Sequence, residues 1–220
     1  MRIAALAALL LLLSACAQST TGQPRPAPEP ASTTAAAPSS TPPDRDSQLN
    51  DRIRWVQAGN AVDNARYGTV SMDGKPPTDL KGDIAFVSPS GKISCITGAK
   101  YDIDGLTCVV KLKNPPPAPA GGLGNWSPGY TTYSTKGVTV GAFRGDPGLF
   151  IDGEGQTLPY DSTITFGAYT CRIVSTGLTC VNPTIRTGVQ LSDDGIIAYG
   201  CLHELTAAER KDYVAQEFTC

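Results

Sequence analysis

The five residues Gly-Leu-Thr-Cys-Val occur twice in this 220-residue chain, at Gly105–Val109 and at Gly177–Val181, and each copy follows a further cysteine, Cys95 or Cys171. In each copy the glycine permits a turn, and the residues after it alternate with the period of a β-strand. Each unit therefore predicts a β-hairpin closed by a disulfide bond. The repeat leaves two interpretations open: a duplicated half-sheet, or a chance similarity between two hairpins.

Other parts of the chain also carry strand and turn signals. Apolar or alternating runs flank short turn sequences, which predicts further hairpins around Pro89-Ser90-Gly91 and Asp193-Asp194-Gly195. A change in the alternation near Gly167-Ala168 predicts a β-bulge there. The stretch from Asn114 to Gly124 is rich in proline and then in glycine, so we expect a long surface loop.

Two segments predict helices. Residues 47–59 place Leu49, Ile53 and Val56 near helical spacing, and Thr206 with Glu209 forms a capping-box pattern that predicts a C-terminal helix running to about Glu217. The sequence thus predicts a mostly β fold. We expect an antiparallel sandwich or barrel of two similar disulfide-clipped halves, with a short N-terminal helix and a C-terminal helix.

The N-terminus predicts export and lipid anchoring. Residues 1–15 combine Arg2, an unbroken apolar run and a small residue at the cut, which is typical of a signal peptide. The tetrad Leu13-Ser14-Ala15-Cys16 matches a bacterial lipobox, so we expect lipidation of Cys16 and attachment to the membrane through this anchor. Residues 16–46 are mostly Ala, Pro, Ser and Thr and predict a disordered tether. Residues 47–220 then form a single disulfide-bonded β domain.

Cysteine arithmetic predicts three disulfides. The chain has seven cysteines, and removing Cys16 from the count leaves an even number in an exported domain. Six cysteines allow fifteen connectivities, but spacing favours local closure. The favoured pairs are Cys95 with Cys108, Cys171 with Cys180, and Cys201 with Cys220. No second Cys/His pair stands at ligand spacing beside Cys201 and His203, so we expect neither a metal site nor a cofactor.

Three strings resemble a known family: Phe86–Cys95, with the pattern Ser-Pro-Ser-Gly-x-Ile-x-Cys; Gly177–Asn182, Gly-Leu-Thr-Cys-Val-Asn; and Thr187–Ser192. They are similar to actinobacterial, mycobacterial-type secreted proteins and lipoproteins of unknown function. The resemblance covers about Phe86 to Ser192. Members often carry Asn where Lys92 stands and a Gly-His-Gly-Phe-like string near Gly188, which is absent here. The resemblance implies an envelope location and an exported cysteine framework, and it brings no activity with it.

Residue types exclude several function classes. The chain has 18 basic and 20 acidic residues, a balance that argues against nucleic acid as a partner. His203 is its single histidine and stands in no catalytic motif, while a glycine-rich phosphate loop is missing. Carboxylates remain as candidate catalytic groups of an envelope hydrolase, namely Asp102, Asp104, Asp152 and Glu154. Each of these is also typical of a solvated turn.

Three aromatic residues, Trp126, Tyr130 and Tyr133, follow the Pro/Gly-rich stretch and predict a candidate binding loop. The alternative is that they anchor the loop to the sheet. We therefore expect a non-catalytic envelope lipoprotein that binds an envelope protein, a glycan or a lipid. An envelope hydrolase using carboxylates and a purely structural envelope protein are the alternatives.

Overall fold

The computed structural model describes residues 39–45, 47–98, 103–145 and 148–220. The predicted signal peptide, the lipidation site Cys16, the tether up to residue 38 and Asp102 lie outside the described residues. Within the described ranges, no helix has the length and apolarity needed to cross a membrane.

The described chain is mostly β-structure, as the alternation of its sequence predicts, and it contains one α-helix, α1, at Leu49–Gln57. Short 3-10 helices lie at Asn64–Tyr67 and Gly148–Phe150. The strands in chain order are β1 (Asn60–Ala61), β2 (Thr69–Val70), β3 (Thr78–Asp79), β4 (Ala85–Val87), β5 (Ile93–Gly98), β6 (Ile103–Val110), β7 (Asn125–Ser134), β8 (Gly137–Arg144), β9 (Gln156–Thr157), β10 (Ser162–Phe166), β11 (Tyr169–Val174), β12 (Gly177–Asn182), β13 (Thr187–Ser192), β14 (Gly195–Gly200), β15 (His203–Glu204) and β16 (Gln216–Thr219).

Two antiparallel meanders form the two large sheets. Strands β4 to β8 pair in sequence order in the eight-stranded sheet, and strands β10 to β14 pair in sequence order in the six-stranded sheet. Each meander gains a parallel strand at its first strand: β9 pairs with β4, and β1 pairs with β10. Strand β9, which directly precedes the second meander along the chain, therefore joins the first, and β1, which lies upstream of the first meander, joins the second. A separate two-stranded sheet pairs β2 with β3.

The outer strands of the two meanders differ. In the eight-stranded sheet β16 pairs antiparallel with β8, and β15 follows at the edge. In the six-stranded sheet β14 is itself the edge. Neither sheet closes on itself among the described residues, so the barrel alternative is not formed.

Both large sheets contribute side chains to one apolar core. Phe86 and Leu106 from the eight-stranded sheet and Ile164, Ile173 and Leu178 from the six-stranded sheet belong to a single buried cluster. Period-two alternation places these side chains on one face of each strand. On the other face of the six-stranded sheet, Trp55 and Val56 of α1 pack in a second cluster with residues of β11 and β12.

The three disulfides are those that local spacing favours. Cys95 lies directly opposite Cys108 between β5 and β6, and Cys171 lies opposite Cys180 between β11 and β12. The bond between Cys201 and Cys220 ties the end of β14 to the C-terminus. We call this bond the C-terminal disulfide.

The glycine of each repeat has the same structural role. Gly105 (φ 127°), the third residue of β6, and Gly177 (φ 143°), the first residue of β12, both adopt a conformation that side chains rarely adopt. A Cβ at Gly105 would lie 2.1 Å from the carbonyl oxygen of Tyr133, and one at Gly177 would lie 2.4 Å from that of Leu191. The neighbouring strand therefore approaches closely at the equivalent point of both meanders.

Two predicted elements are wrong. Residues 206–215 are turns and coil, not a helix, although one half of the capping box forms: the Thr206 amide donates to Glu209 Oε2 at 3.0 Å. The Thr206 hydroxyl donates to the same oxygen at 2.8 Å and does not accept from the Glu209 amide. Helix growth stops because the following residues enter β16, which pairs with β8. Gly167-Ala168 is a hairpin turn between β10 and β11, since Phe166 pairs with Tyr169 across it, and not a bulge.

The segment 39–45, assigned from composition to the tether, packs on the domain. The Ser39 carbonyl accepts hydrogen bonds from the Trp55 indole and from Arg172, each at 2.9 Å. The carbonyls of Pro43 and Asp44 accept from the buried Arg52 at 3.3 and 2.9 Å. Buried guanidinium groups need acceptors, and this backbone supplies one or more to each of the two arginines.

Candidate functional site

The three aromatic residues predicted to form a binding loop lie on a strand, β7. Trp126 and Tyr130 are an even number of positions apart and share one face, while Tyr133 points to the opposite face. Pro128 and Gly129, which indicate a loop in the sequence, are accommodated by a register shift between Ser127 and Thr131. The binding-loop prediction is therefore wrong about the local structure.

On the outer face, Trp126 anchors the proline-rich loop. Its indole nitrogen donates to the Pro116 carbonyl at 3.0 Å, and its ring lies 4.9 Å from the ring of Phe143. A Cβ at Gly122 would overlap Phe143, so the loop lies directly on this ring. Nearby, the Arg144 guanidinium lies 4.3 Å from the centre of the Tyr130 ring. These aromatic surfaces are used by the chain itself.

On the inner face, Tyr133 connects the two large sheets. Its side chain is 1 % exposed, and its hydroxyl lies 2.8 Å from the Thr187 hydroxyl on β13. The backbone amide of Asn182 also donates to this hydroxyl, while burial raises the pKa of Tyr133 well above its usual value. Tyr133 is thus a core hydrogen-bonding residue.

Of the candidate carboxylates, Asp104 lies in a hydrogen-bonded group beside a cavity of about 240 Å³. The hydroxyls of Thr135 and Tyr169 donate to its two oxygens at 2.5 and 3.4 Å. Burial raises the pKa of Tyr169 to about 12, and the Asn182 side chain donates to its oxygen. Tyr169 is therefore a protonated donor at neutral pH. The hydrogen bond from Tyr169 to Asp104 connects β11 with β6.

The remaining sequence candidates are dispersed. Asp152 and Glu154 lie in the segment before β9, and the backbone of Glu154 bridges to that of Ser71. His203 is exposed on β15 opposite Thr219. Among the described residues, no three His, Cys, Asp or Glu side chains stand together in a way that could hold a metal ion.

The strand β14 forms an open edge that the sequence did not single out. Its residues Gly-Ile-Ile-Ala-Tyr-Gly carry no charge and no proline, and no described strand pairs with its outer side. Ser192 pairs with Gly195 across a two-residue turn, so these two form a hydrogen-bonded pair. Alternation along the strand then directs the backbone groups of Ile196 and Ala198 outward.

A groove of about 370 Å³ follows this edge. Ile196 and Ala198, which pack against the core, line it together with Ile197 and Tyr199 of the opposite face. Because side chains of both faces line the groove, it runs along the backbone edge of β14. Its far wall comes from Glu204, Gln216 and Phe218 on β15 and β16, and Arg45 completes it. We call this feature the β14 groove.

The equivalent position in the other meander is filled. The turns Ser134–Gly137 and Ser192–Gly195 correspond, so Val138 and Val140 of β8 match Ile196 and Ala198 of β14. Strand β16 covers this part of β8, and the Val140 carbonyl accepts from the Ala215 amide at 2.8 Å. Val138 and Val140 are each 1 % exposed, whereas Ile196 and Ala198 are only half-buried. The β14 groove is the place where a strand equivalent to β16 is missing.

The two ends of the β14 groove differ in charge. At the Gly195 end, Asp193 and Asp194 are paired with Lys92 and Lys113: Lys92 lies 2.5 Å from Asp193, and Lys113 lies 2.7 Å from Asp194. At the Gly200 end stand arginines instead. The guanidinium of the buried Arg52 lies 3.7 Å from the centre of the Tyr199 ring, and burial lowers its pKa.

Comparison of this chain with protein-family models, with curated proteins and with solved structures finds no match. The geometry of the molecule therefore carries the functional argument by itself. That geometry places Trp126, Tyr133 and Asp104 in contacts within the chain, and it shows an open strand edge beside the β14 groove.

Proposed function

We propose that the protein is a lipid-anchored, extracytoplasmic binding protein that captures an extended segment of another envelope protein along β14. The observation that carries the proposal is the uncharged open edge of the six-stranded sheet. An unprotected edge of this kind is a template for strand addition, and proteins that do not use it usually block it with charge, proline or a covering segment. None of these stands on β14 within the described chain.

The anchoring part of the proposal rests on the N-terminal sequence. The lipobox ending at Cys16 supplies a diacylated anchor, and the Ala/Pro/Ser/Thr tether gives the domain reach from the membrane surface. The resemblance to mycobacterial-type lipoproteins and the three disulfides support the same location, because disulfides persist outside the cytoplasm. A tethered domain with an open edge is suited to holding a neighbouring protein near the membrane.

The proposal includes an internal duplication. The two meanders share strand order, the position of one disulfide and the position of one positive-φ glycine, which supports a sandwich of two related halves. In the first half the last strand is covered by β16. The second half has no such strand within the described chain. We therefore attribute the open edge at β14 to the absence of a second strand like β16.

Photo-crosslinking in intact cells tests the proposal. A photoreactive residue at Ile197 should capture one envelope protein, and a matched one at Ala61, on the opposite edge, should not. Ala198→Pro removes a single outward donor without touching the β13 ladder and is tolerated at an edge. The proposal requires this variant to lose the Ile197 crosslink while keeping the melting temperature.

Hydrogen exchange on the wild-type protein gives a readout that is independent of any variant. The outward amides of Ile196 and Ala198 should exchange rapidly in the free protein and slowly once the captured protein is bound. Equal capture from both edges, or unchanged exchange at Ile196 and Ala198 in the complex, contradicts strand capture. Binding of a glycan or a lipid in place of a protein would do the same.

A further inference from the structure

We infer that the segment bound in the β14 groove is an antiparallel, acidic strand whose carboxylates lie N-terminal to its paired residues. This inference rests on the proposed function and specifies the ligand's direction and charge. It is drawn from two independent features of the molecule, the strand that fills the equivalent position and the distribution of charge along the groove.

The direction follows from β16. In the first meander β16 runs antiparallel to β8, with Phe218 opposite Val138 and Gln216 opposite Val140. Val138 and Val140 correspond to Ile196 and Ala198. The Val140 carbonyl accepts an outward hydrogen bond, from the Ala215 amide, and the Ala198 carbonyl is placed to accept an equivalent one. A strand added to β14 in the same sense therefore meets the same backbone pattern. It also completes the burial of Ile196 and Ala198.

The acidic character of the bound segment is inferred from the arginines near the Gly200 end of the β14 groove. Arg45 lines the groove, and the backbone of Arg186 lies against Gly200; both side chains are exposed and form no ion pair with the described residues. Beneath them, Arg52 is fully buried, its bonds go only to backbone carbonyls, and its Nε and one terminal nitrogen have no partner among the described residues. Three cationic groups thus meet no described carboxylate.

The other boundaries of the groove offer no free cation to a ligand carboxylate. Asp193 and Asp194 at the Gly195 end are paired with lysines, and Glu204 on the far wall is itself an anion, which accepts a hydrogen bond from the neutral Gln216 side-chain amide at 3.0 Å. A carboxylate in the ligand is therefore attracted to one end only. In an antiparallel strand, the end beside Gly200 is the N-terminal one.

A second copy of this chain fits less well. Antiparallel pairing of two β14 strands would bring the Asp193–Asp194 turn of one copy towards Arg45 of the other. Both carboxylates are already paired with Lys92 and Lys113. A foreign strand with free carboxylates compensates the arginines without breaking existing ion pairs.

Peptide binding to the purified protein tests the inference. Three labelled probes share one short core of alternating valine and threonine: the first has two glutamates before the core, the second has them after it, and the third has two lysines before it. Partly exposed ion pairs contribute up to about fivefold each in affinity. Fluorescence anisotropy should therefore show the first probe binding about tenfold more tightly than either of the others, with the difference reduced at high salt.

Substitutions test whether Arg45 and Arg186 cause the preference for the first probe. The double change Arg45→Gln, Arg186→Gln should abolish the preference for the first probe. Arg66→Gln is the matched control, because Arg66 is an exposed arginine near β10 on the opposite edge of the same sheet. It should leave the preference unchanged. Arg66 lies within the 3-10 helix Asn64–Tyr67, so melting temperatures of all variants are compared first.

The outcomes separate the two proposals. Equal binding of all three probes, blocked by Ala198→Pro, overturns the acidic ligand and leaves strand capture standing. Failure of every probe to bind, together with a failed crosslink at Ile197, overturns both. Self-association in sedimentation experiments that Ala198→Pro abolishes would identify a second copy as the occupant and overturn the inference.

Discussion

Replacing Tyr133 by phenylalanine separates a packing role from a binding role at the residue that the sequence placed in a recognition loop. The change removes one hydroxyl and little volume. It leaves the Thr187 hydroxyl, 2.8 Å away, and the Asn182 amide without this partner in the core between the two sheets. Buried groups that lose a hydrogen bond cost about 1–3 kcal/mol. We therefore expect Tyr133→Phe to lower the free energy of unfolding by about 2 kcal/mol.

Thermal and urea unfolding followed by circular dichroism measure this effect. In a domain of this size the expected loss lowers the melting temperature by roughly 4–8 °C. Tyr130→Phe is the matched control, because the Tyr130 hydroxyl has no hydrogen-bond partner among the described residues; its effect should stay within about 0.5 kcal/mol. The reasoning is refuted if the two variants are equally stable, or if Tyr133→Phe weakens partner capture without changing the unfolding midpoint.

Two further predictions concern stability. In the folded state the pKa of Tyr169 is raised to about 12, so its contribution to stability should be full below about pH 10 and should fall as the pH rises towards 12. Urea midpoints measured across this pH range should therefore decline less steeply in Tyr169→Phe than in the wild type. An equal decline in the two proteins would contradict the raised pKa of Tyr169. Gly105→Ala would put a Cβ 2.1 Å from a backbone carbonyl oxygen and should lower the free energy of unfolding by more than about 3 kcal/mol. Gly74 also has a positive φ, but a Cβ there would have nothing within 4 Å, so Gly74→Ala should lower it by only about 1 kcal/mol. Similar losses of stability in the two variants would show that the close approach at Gly105 is not a constraint.

The features that sequence predicted well are those determined within a few residues. The two cysteine hairpins need only a turn and two short strands, so the repeat around Cys108 and Cys180 predicts both their β-structure and their pairing. The helix α1 has its own apolar face. In these cases local pattern and tertiary packing agree, and the agreement makes the prediction possible.

The C-terminus shows where local pattern fails. One of the two capping-box hydrogen bonds between Thr206 and Glu209 is present, the one from the Thr206 amide to the Glu209 carboxylate, yet no helix follows. Pairing of Gln216–Thr219 with β8 and the C-terminal disulfide determine the conformation of this segment. Both are long-range contacts, which an i to i+3 pattern cannot register.

The aromatic strand fails for a different reason. Pro128 and Gly129 indicate a loop because proline cannot donate to a ladder and glycine weakens a strand. The register shift in β7 accommodates both, and Gly129 lies so close to Val110 that a Cβ would overlap its carbonyl oxygen. The register shift depends on the neighbouring strand, so the sequence of β7 alone does not predict it.

The β14 groove results from the order of the strands in the sheets and not from a particular residue of β14. Nothing in Ile196-Ile197-Ala198 identifies an edge strand, since apolar residues such as these also occur in interior strands. The strand is open because β1 and β9 each join the opposite meander at its first strand, while β16 covers the last strand of the first meander alone. The last strand of the first meander is therefore covered by a described strand, whereas the last strand of the second meander is an edge of its sheet. The fold also places Arg45 and the backbone of Arg186 near the Gly200 end of that edge, and neither residue is part of β14.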